Sequence, residues 1–259
     1  MSVDGRFEFG LALVREAGEK ALGYFNARDQ LTIQNKGPQD LASEADLNTE
    51  LLIRERLAKA YPEDAFLGEE TAPTTYRDGQ GIWVVDPIDG TQPFILGMSS
   101  WCVSIGFMQG GVIQFGMVYA PARDEMFAGG RNIASTLNGK PIRVTSATSV
   151  KNGLTYAGYS PKSGPQDFLP GFTRLLESGG MFFRDGSGAL GLCYVAAGRL
   201  VGFFEPLIKS WDAMGAIAVC EGAGAKVSDF LSHDGLFKGN SLIAATPAAY
   251  AEIERIVSG

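Results

Sequence analysis

The chain has 259 residues, 45% hydrophobic and 20% charged, so it can bury a sizeable core and resembles neither a disordered segment nor a coiled coil. Lys and Arg number 22 against 29 Asp and Glu, and the resulting charge of −7 is opposite to the basic face a sequence-independent nucleic-acid binder needs. No nucleic-acid partner is expected, although an acidic protein can hold an anion where metal ions supply the positive charge.

The residue counts narrow the chemistry further. The single histidine, His233, excludes a multi-histidine zinc site, and no G-x-S-x-G elbow accompanies it for a Ser-His-Asp hydrolase. Cys102, Cys193 and Cys220 are odd in number, far apart and set in apolar runs, so they read as buried reduced thiols. The N-terminal residues carry no basic segment before an apolar core, and no apolar run reaches membrane length. A soluble, cytoplasmic protein with no membrane partner is expected, its polar chemistry resting on carboxylates and hydroxyls.

Taken in chain order, Leu11, Val14, Leu22 and Phe25 fall at helical spacing and predict a helix over 7–25. A short strand over 32–36 ends at Gly37-Pro38. A second helix covers about 45–60, with Leu47, Leu51, Ile53 and Leu57 as its apolar positions, and Tyr61-Pro62 stops it. Residues 82–85 form a buried strand that delivers Asp86 to its carboxyl end. Paired strands follow over 101–128, joined at Gln109-Gly110-Gly111 and turned at Pro121–Asp124, with a further turn at Asn138-Gly139.

The second half alternates strands and helices. Strands are expected at 154–159, 181–183, 200–204 and 242–244, and helices at 166–177, 187–197, 211–221 and 247–256. Hairpins first and alternation later imply an α+β layer set over roughly 1–145 followed by an α/β set over 146–259, stacked without a linker. A site at their junction is plausible.

Four acidic segments stand at the edges of predicted elements: Asp46, Gly68-Glu69-Glu70, Asp86-Pro87-Ile88-Asp89-Gly90-Thr91 and Trp211-Asp212. In the third, Pro87 should keep the strand from continuing as a central one, and a tight turn could return Asp89 beside Asp86. Gly90-Thr91 offers consecutive backbone N–H groups with room for a phosphate oxygen. An acid pair beside an anion-binding turn suits metal-assisted phosphoryl chemistry, because magnesium takes hard oxygen ligands and shares them with phosphate. Alone, Asp-Pro and Asp-Gly are ordinary turn residues, adjacent glutamates are usually a solvated loop, and Trp211-Asp212 fits a plain helix start. The D-x-D-G-T motif of haloacid-dehalogenase-type phosphatases has one residue between its acids, whereas two separate Asp86 from Asp89, and that register is set aside.

Together these segments, with Trp211-Asp212-Ala213-Met214-Gly215, resemble the signature of the inositol monophosphatase family of magnesium-dependent, lithium-sensitive phosphatases, from about Lys36 to Gly224. The resemblance implies a five-layered αβαβα sandwich over 1–259, a homodimer, and hydrolysis of a small phosphomonoester. By that resemblance Glu69, Asp86 and the Ile88 carbonyl would hold a first Mg²⁺, and Asp86, Asp89 and Asp212 a second, with two or three ions in all. Glu70 would stand behind them. Thr91, assisted by Asp46, would orient and help deprotonate the attacking water while the Gly90-Thr91 amides face the phosphate. Ser187, Gly188, Glu205 and Asp212 would border the alcohol.

The sequence departs from the family at Gln92-Pro93, where Thr-Asn is usual, at Gly191, where bacterial relatives commonly have an acid, and at Pro206. Inositol 1-phosphate is the leading substrate, followed by histidinol phosphate and then adenosine 3′,5′-bisphosphate. A regulatory binding protein on the same fold is the reading from another class.

Overall fold

The computed structural model describes residues 3–37 and 40–259. In chain order, α1 (Val3–Asn26) leads to an antiparallel pair, β1 (Ile33–Gly37) and β2 (Asp40–Ser43), and then to α2 (Glu44–Ala60). Next come β3 (Ala65–Gly68), β4 (Ile82–Asp89), α3 (Thr91–Ile95), β5 (Cys102–Gln109), β6 (Val112–Ala120), β7 (Glu125–Gly130), β8 (Ile133–Leu137) and β9 (Lys140–Pro141). The second half holds β10 (Leu154–Ala157), α4 (Pro165–Glu177), β11 (Met181–Phe183), α5 (Gly188–Ala196), β12 (Gly202–Ile208) and α6 (Ser210–Gly222). It closes with β13 (Lys226–Val227), α7 (Gly235–Lys238), β14 (Asn240–Ala245) and α8 (Pro247–Ser258). The expected stop at Gly37-Pro38 lies partly outside the described residues.

Strands β3 to β9 form a seven-stranded sheet in sequence order, antiparallel except for β3 with β4. The second sheet has the order β11-β10-β12-β14-β13, parallel across its first three strands. Three apolar clusters separate five layers. One lies between α1, α2 and the first sheet, around Val14, Ile53, Trp83 and Phe115. The second unites both sheets with α5 and α6 between them, and the third packs α4 and α8 on the far face of the second sheet. The αβαβα sandwich is therefore present.

Helix α2 departs from its expected face. Leu47 and Leu51 are exposed, and the buried stripe is Asp46, Thr49, Glu50, Ile53 and Leu57. This stripe still recurs at helical spacing, but three of its five positions are polar, and Asp46 and Glu50 turn inward to the site. Strands also pass through two prolines, of which Pro87 was expected to keep its strand from continuing. Strand β4 continues past Pro87 to Asp89, and β12 continues past Pro206 to Ile208. In each the register slips by one residue, between Asp86 and Asp89 against β5 and between Glu205 and Ile208 against β14. A proline in a bulge removes no ladder hydrogen bond, and bulges re-aim neighbouring side chains. Strands β2 and β3 and the short α3 were not anticipated, being four or five residues long and too brief to show periodicity.

The central helix α6 sits on β5 and β6 through glycines. A Cβ at Gly116 would lie 2.0 Å from the Gly215 carbonyl oxygen, a backbone atom that cannot swing aside. Gly116→Ala is expected to destabilise the protein by about 3 kcal/mol, read as a lower urea midpoint, because overpacking at a helix-sheet contact must shift the helix. An unchanged midpoint would mean α6 is not seated this closely. The contact matters beyond stability, since Asp212 stands on the first turn of α6.

Candidate metal and phosphate site

The β4 bulge creates the first part of the site. The Ile88 N–H donates to Asp86 Oδ1 at 2.9 Å, folding the chain back over the aspartate. Gly90 then adopts φ +95°, and a Cβ there would meet the Ser100 carbonyl oxygen at 2.6 Å, so only glycine fits. Helix α3 begins at Thr91, and Pro93 falls in its first turn, where a backbone N–H would have no partner within the helix. The proline therefore disturbs no helical hydrogen bond, and Gly186 packs against its ring.

Two more acids arrive from elsewhere. Glu69 follows Gly68, whose register partner on β4 is Val85, and so comes beside Asp86. Asp212 accepts from the Lys209 N–H at 3.4 Å at the start of α6. Glu69, Asp86 and Asp212 each present an oxygen within 4.8 Å of the others, the grouping of possible metal ligands found among the described residues. Asp89 lies close enough to couple electrostatically, and its Oδ2 accepts from Ser187 Oγ at 2.6 Å and from the Ala189 N–H at 2.7 Å.

Burial and crowding hold these acids toward their neutral forms. Burial, then the charges of Glu69, Asp212 and Asp89, push Asp86 well above the usual carboxylate range. Asp89 is pushed up to about 7 by burial and by Asp212, against the opposing bonds from Ser187 and Ala189. Asp212 is raised by burial, with Lys162 and Lys209 opposing. Carboxylates packed this closely repel unless a cation joins them. An all-oxygen, multiply charged donor set of this kind fits a hard divalent ion.

Thr91 Oγ1 lies 3.2 Å from Asp46 Oδ1 and 3.2 Å from the Ile88 carbonyl oxygen, able to donate to either. Asp46 Oδ2 accepts from the Ser43 N–H at 2.8 Å and Ser43 Oγ at 2.7 Å, so it also caps α2. Burial raises its pKa, opposed by Ser43. One turn on, Glu50 was not singled out from the sequence. Its carboxylate is fully buried and accepts from the Glu70 and Thr71 N–H groups at 2.8 and 2.7 Å, pinning the loop that carries Glu69. The signal was its position four residues after Asp46 on one helix face.

A cavity of about 590 Å³ opens over these groups, lined by Glu69, Asp89, Gly90, Thr91, Gly188, Glu205 and Asp212 among others. Glu205 is pushed up to about 8, first by burial, then by Asp212 and Asp89, with Arg184 opposing. Ser187 is buried and directed at Asp89 rather than into the cavity. Glu70 is half-buried in the loop held by Glu50. Gly191 faces the Tyr156 ring, which leaves no room for an acid. His233 lies in a turn with φ +55° and is not among the cavity's lining residues, and all three cysteines are buried and free.

A family model described as the inositol monophosphatase family matches residues 4–258. The chain belongs to the inositol monophosphatase family. It is 32% identical over 242 residues to a Nus factor SuhB of Haemophilus influenzae, covering 92% of this chain and 90% of that one. It is 33% identical over 230 residues to an inositol-1-monophosphatase of Rhizobium meliloti, covering 88% and 83%. The crystal structure of the extragenic suppressor protein suhB from Bartonella henselae superposes with a TM-score of 0.90 at 29% identity, covering 99% of both chains. The family is one of phosphatases, and this chain is a phosphatase of that kind. No helix among the described residues is long and apolar enough to cross a membrane.

Proposed function

We propose that this chain hydrolyses a small phosphomonoester in a Mg²⁺-dependent reaction. The supporting observation is the meeting of Glu69, Asp86 and Asp212 from three separate elements beside Asp89 and the Thr91–Asp46 pair. Glu69, Asp86, the Ile88 carbonyl, Asp89 and Asp212 would hold two or three ions. Bound there, magnesium supplies positive charge to the phosphoryl and leaving-group oxygens and lowers the pKa of water.

The protein's own groups then have distinct tasks. Asp89 is kept in place by Ser187 and the start of α5. Thr91 receives a proton from the attacking water as it passes its own to Asp46, whose raised pKa makes it a competent acceptor. The Gly90-Thr91 amides face the phosphate, and Glu205 accepts hydroxyls of the alcohol. Inositol 1-phosphate meets the carboxylate side of the cavity alone, whereas histidinol phosphate and adenosine 3′,5′-bisphosphate also bring a ring to its aromatic lining. The protein is proposed to act as a cytoplasmic homodimer, one unit over the whole chain, and to be inhibited by millimolar lithium.

Thr91→Val is expected to lower kcat about 100-fold while leaving the Mg²⁺-induced thermal shift in place. A kcat within a few fold of the parent would remove Thr91 and Asp46 from the proton path. The Nus factor name of the Haemophilus influenzae relative favours a second reading, a binding role on the same fold. Such a role should persist in a variant that has lost turnover.

A further inference from the structure

One wall of the cavity has no part in the phosphate chemistry. Tyr159, Phe168, Phe172 and Phe182 all line it, together with Arg184. Their rings form a continuous run: Tyr159 to Phe168 at 5.4 Å between centroids, Phe168 to Phe172 stacked at 5.2 Å, and Phe172 to Phe182 edge-on at 5.0 Å. Phe168 and Phe172 stand four residues apart on α4, Phe182 is on β11, and Tyr159 follows β10, so three segments converge on this wall. Phe182 lines the cavity and is 48% exposed. Leaving an aromatic ring in water forgoes the stabilisation that burial would return.

We propose that the alcohol of this phosphatase's substrate carries a planar aromatic ring that seats against Tyr159, Phe168 and Phe182. The inference rests on the phosphomonoesterase reading in that the ester bond must reach the carboxylate side of the same cavity. A polyol set against this wall would give up water at its hydroxyls without finding acceptors. A flat heteroaromatic ring has a face to stack and loses nothing. Arg184, donating to the Tyr159 carbonyl oxygen at 3.3 Å, adds a planar cation at the rim of the wall. The ring can be an imidazole or a purine, which share this chemistry.

The test compares kcat/KM for histidinol phosphate, adenosine 3′,5′-bisphosphate, inositol 1-phosphate and glycerol 1-phosphate in the full-length protein. At least one ring ester should exceed both polyol esters, and which one identifies the ring. Phe182→Ala should lower the ratio of ring-ester to glycerol 1-phosphate turnover about 10-fold, through KM. Phe182→Leu, which keeps the apolar area, should lower it nearly as far. Polyol esters turned over as well as both ring esters, or all esters falling together in Phe182→Ala, would overturn the proposal and leave the phosphatase standing. If no ester is hydrolysed by folded protein, the phosphatase reading fails. Saturation-transfer NMR with adenosine and histidinol on metal-free protein then decides the wall: ring signals lost in Phe182→Ala support it, and their absence in the parent overturns it.

Discussion

Asp86→Asn is expected to reduce phosphate release by on the order of 10³-fold or more without unfolding the protein. Asparagine keeps an oxygen for the Ile88 N–H and matches the volume of a side chain that is 1% exposed. It removes the one charge that faces Glu69, Asp89 and Asp212 together. The same substitution should raise the thermal midpoint of metal-free protein, since it relieves repulsion among buried acids, and should shrink the rise that Mg²⁺ produces. Two opposite effects from one atom pair separate a metal ligand from a structural residue. Turnover within 10-fold of the parent would contradict the assignment of Asp86.

Metal-free protein should lose stability as pH rises. Asp89 and Glu205 are pushed up to about 7 and about 8 in the folded chain, well above their ordinary values, so the folded state binds more protons than the unfolded one across this range. Stability is then fully present near pH 4 and declines as pH rises through 7 and 8, by several kcal/mol in total. Urea midpoints in EDTA at pH 5, 7 and 9 read the decline directly. Saturating Mg²⁺ should flatten it, because the ions replace protons as the partners of these carboxylates. Glu205→Gln should remove its upper part. A midpoint that climbs from pH 5 to 9 without metal would contradict the electrostatic picture.

The site was legible in the sequence where its chemistry is local. Asp86, Asp89, Gly90 and Thr91 lie within six residues, and the bulge, the positive φ and the start of α3 together require that order. Hairpins giving way to alternating strands and helices indicated stacked layers, and the family resemblance implied that there are five. Reading failed where one residue type was given one meaning. Pro87 was taken to keep its strand from continuing, yet it occupies a bulge beside an acid of the site, as Pro206 does on β12. Leu47 and Leu51 were placed in the core because they are apolar, while Asp46 and Glu50 hold the buried face. The aromatic wall was invisible because its rings come from three segments and meet only when β10, β11 and α4 pack together.

The central claim is tested most directly by phosphate release from the four monoesters above, in chelator-stripped protein with and without added Mg²⁺. Release from at least one ester that depends on Mg²⁺ and disappears in Asp86→Asn is the predicted result. Release that persists without any divalent ion, or none from any ester in protein that folds and binds Mg²⁺, would contradict it.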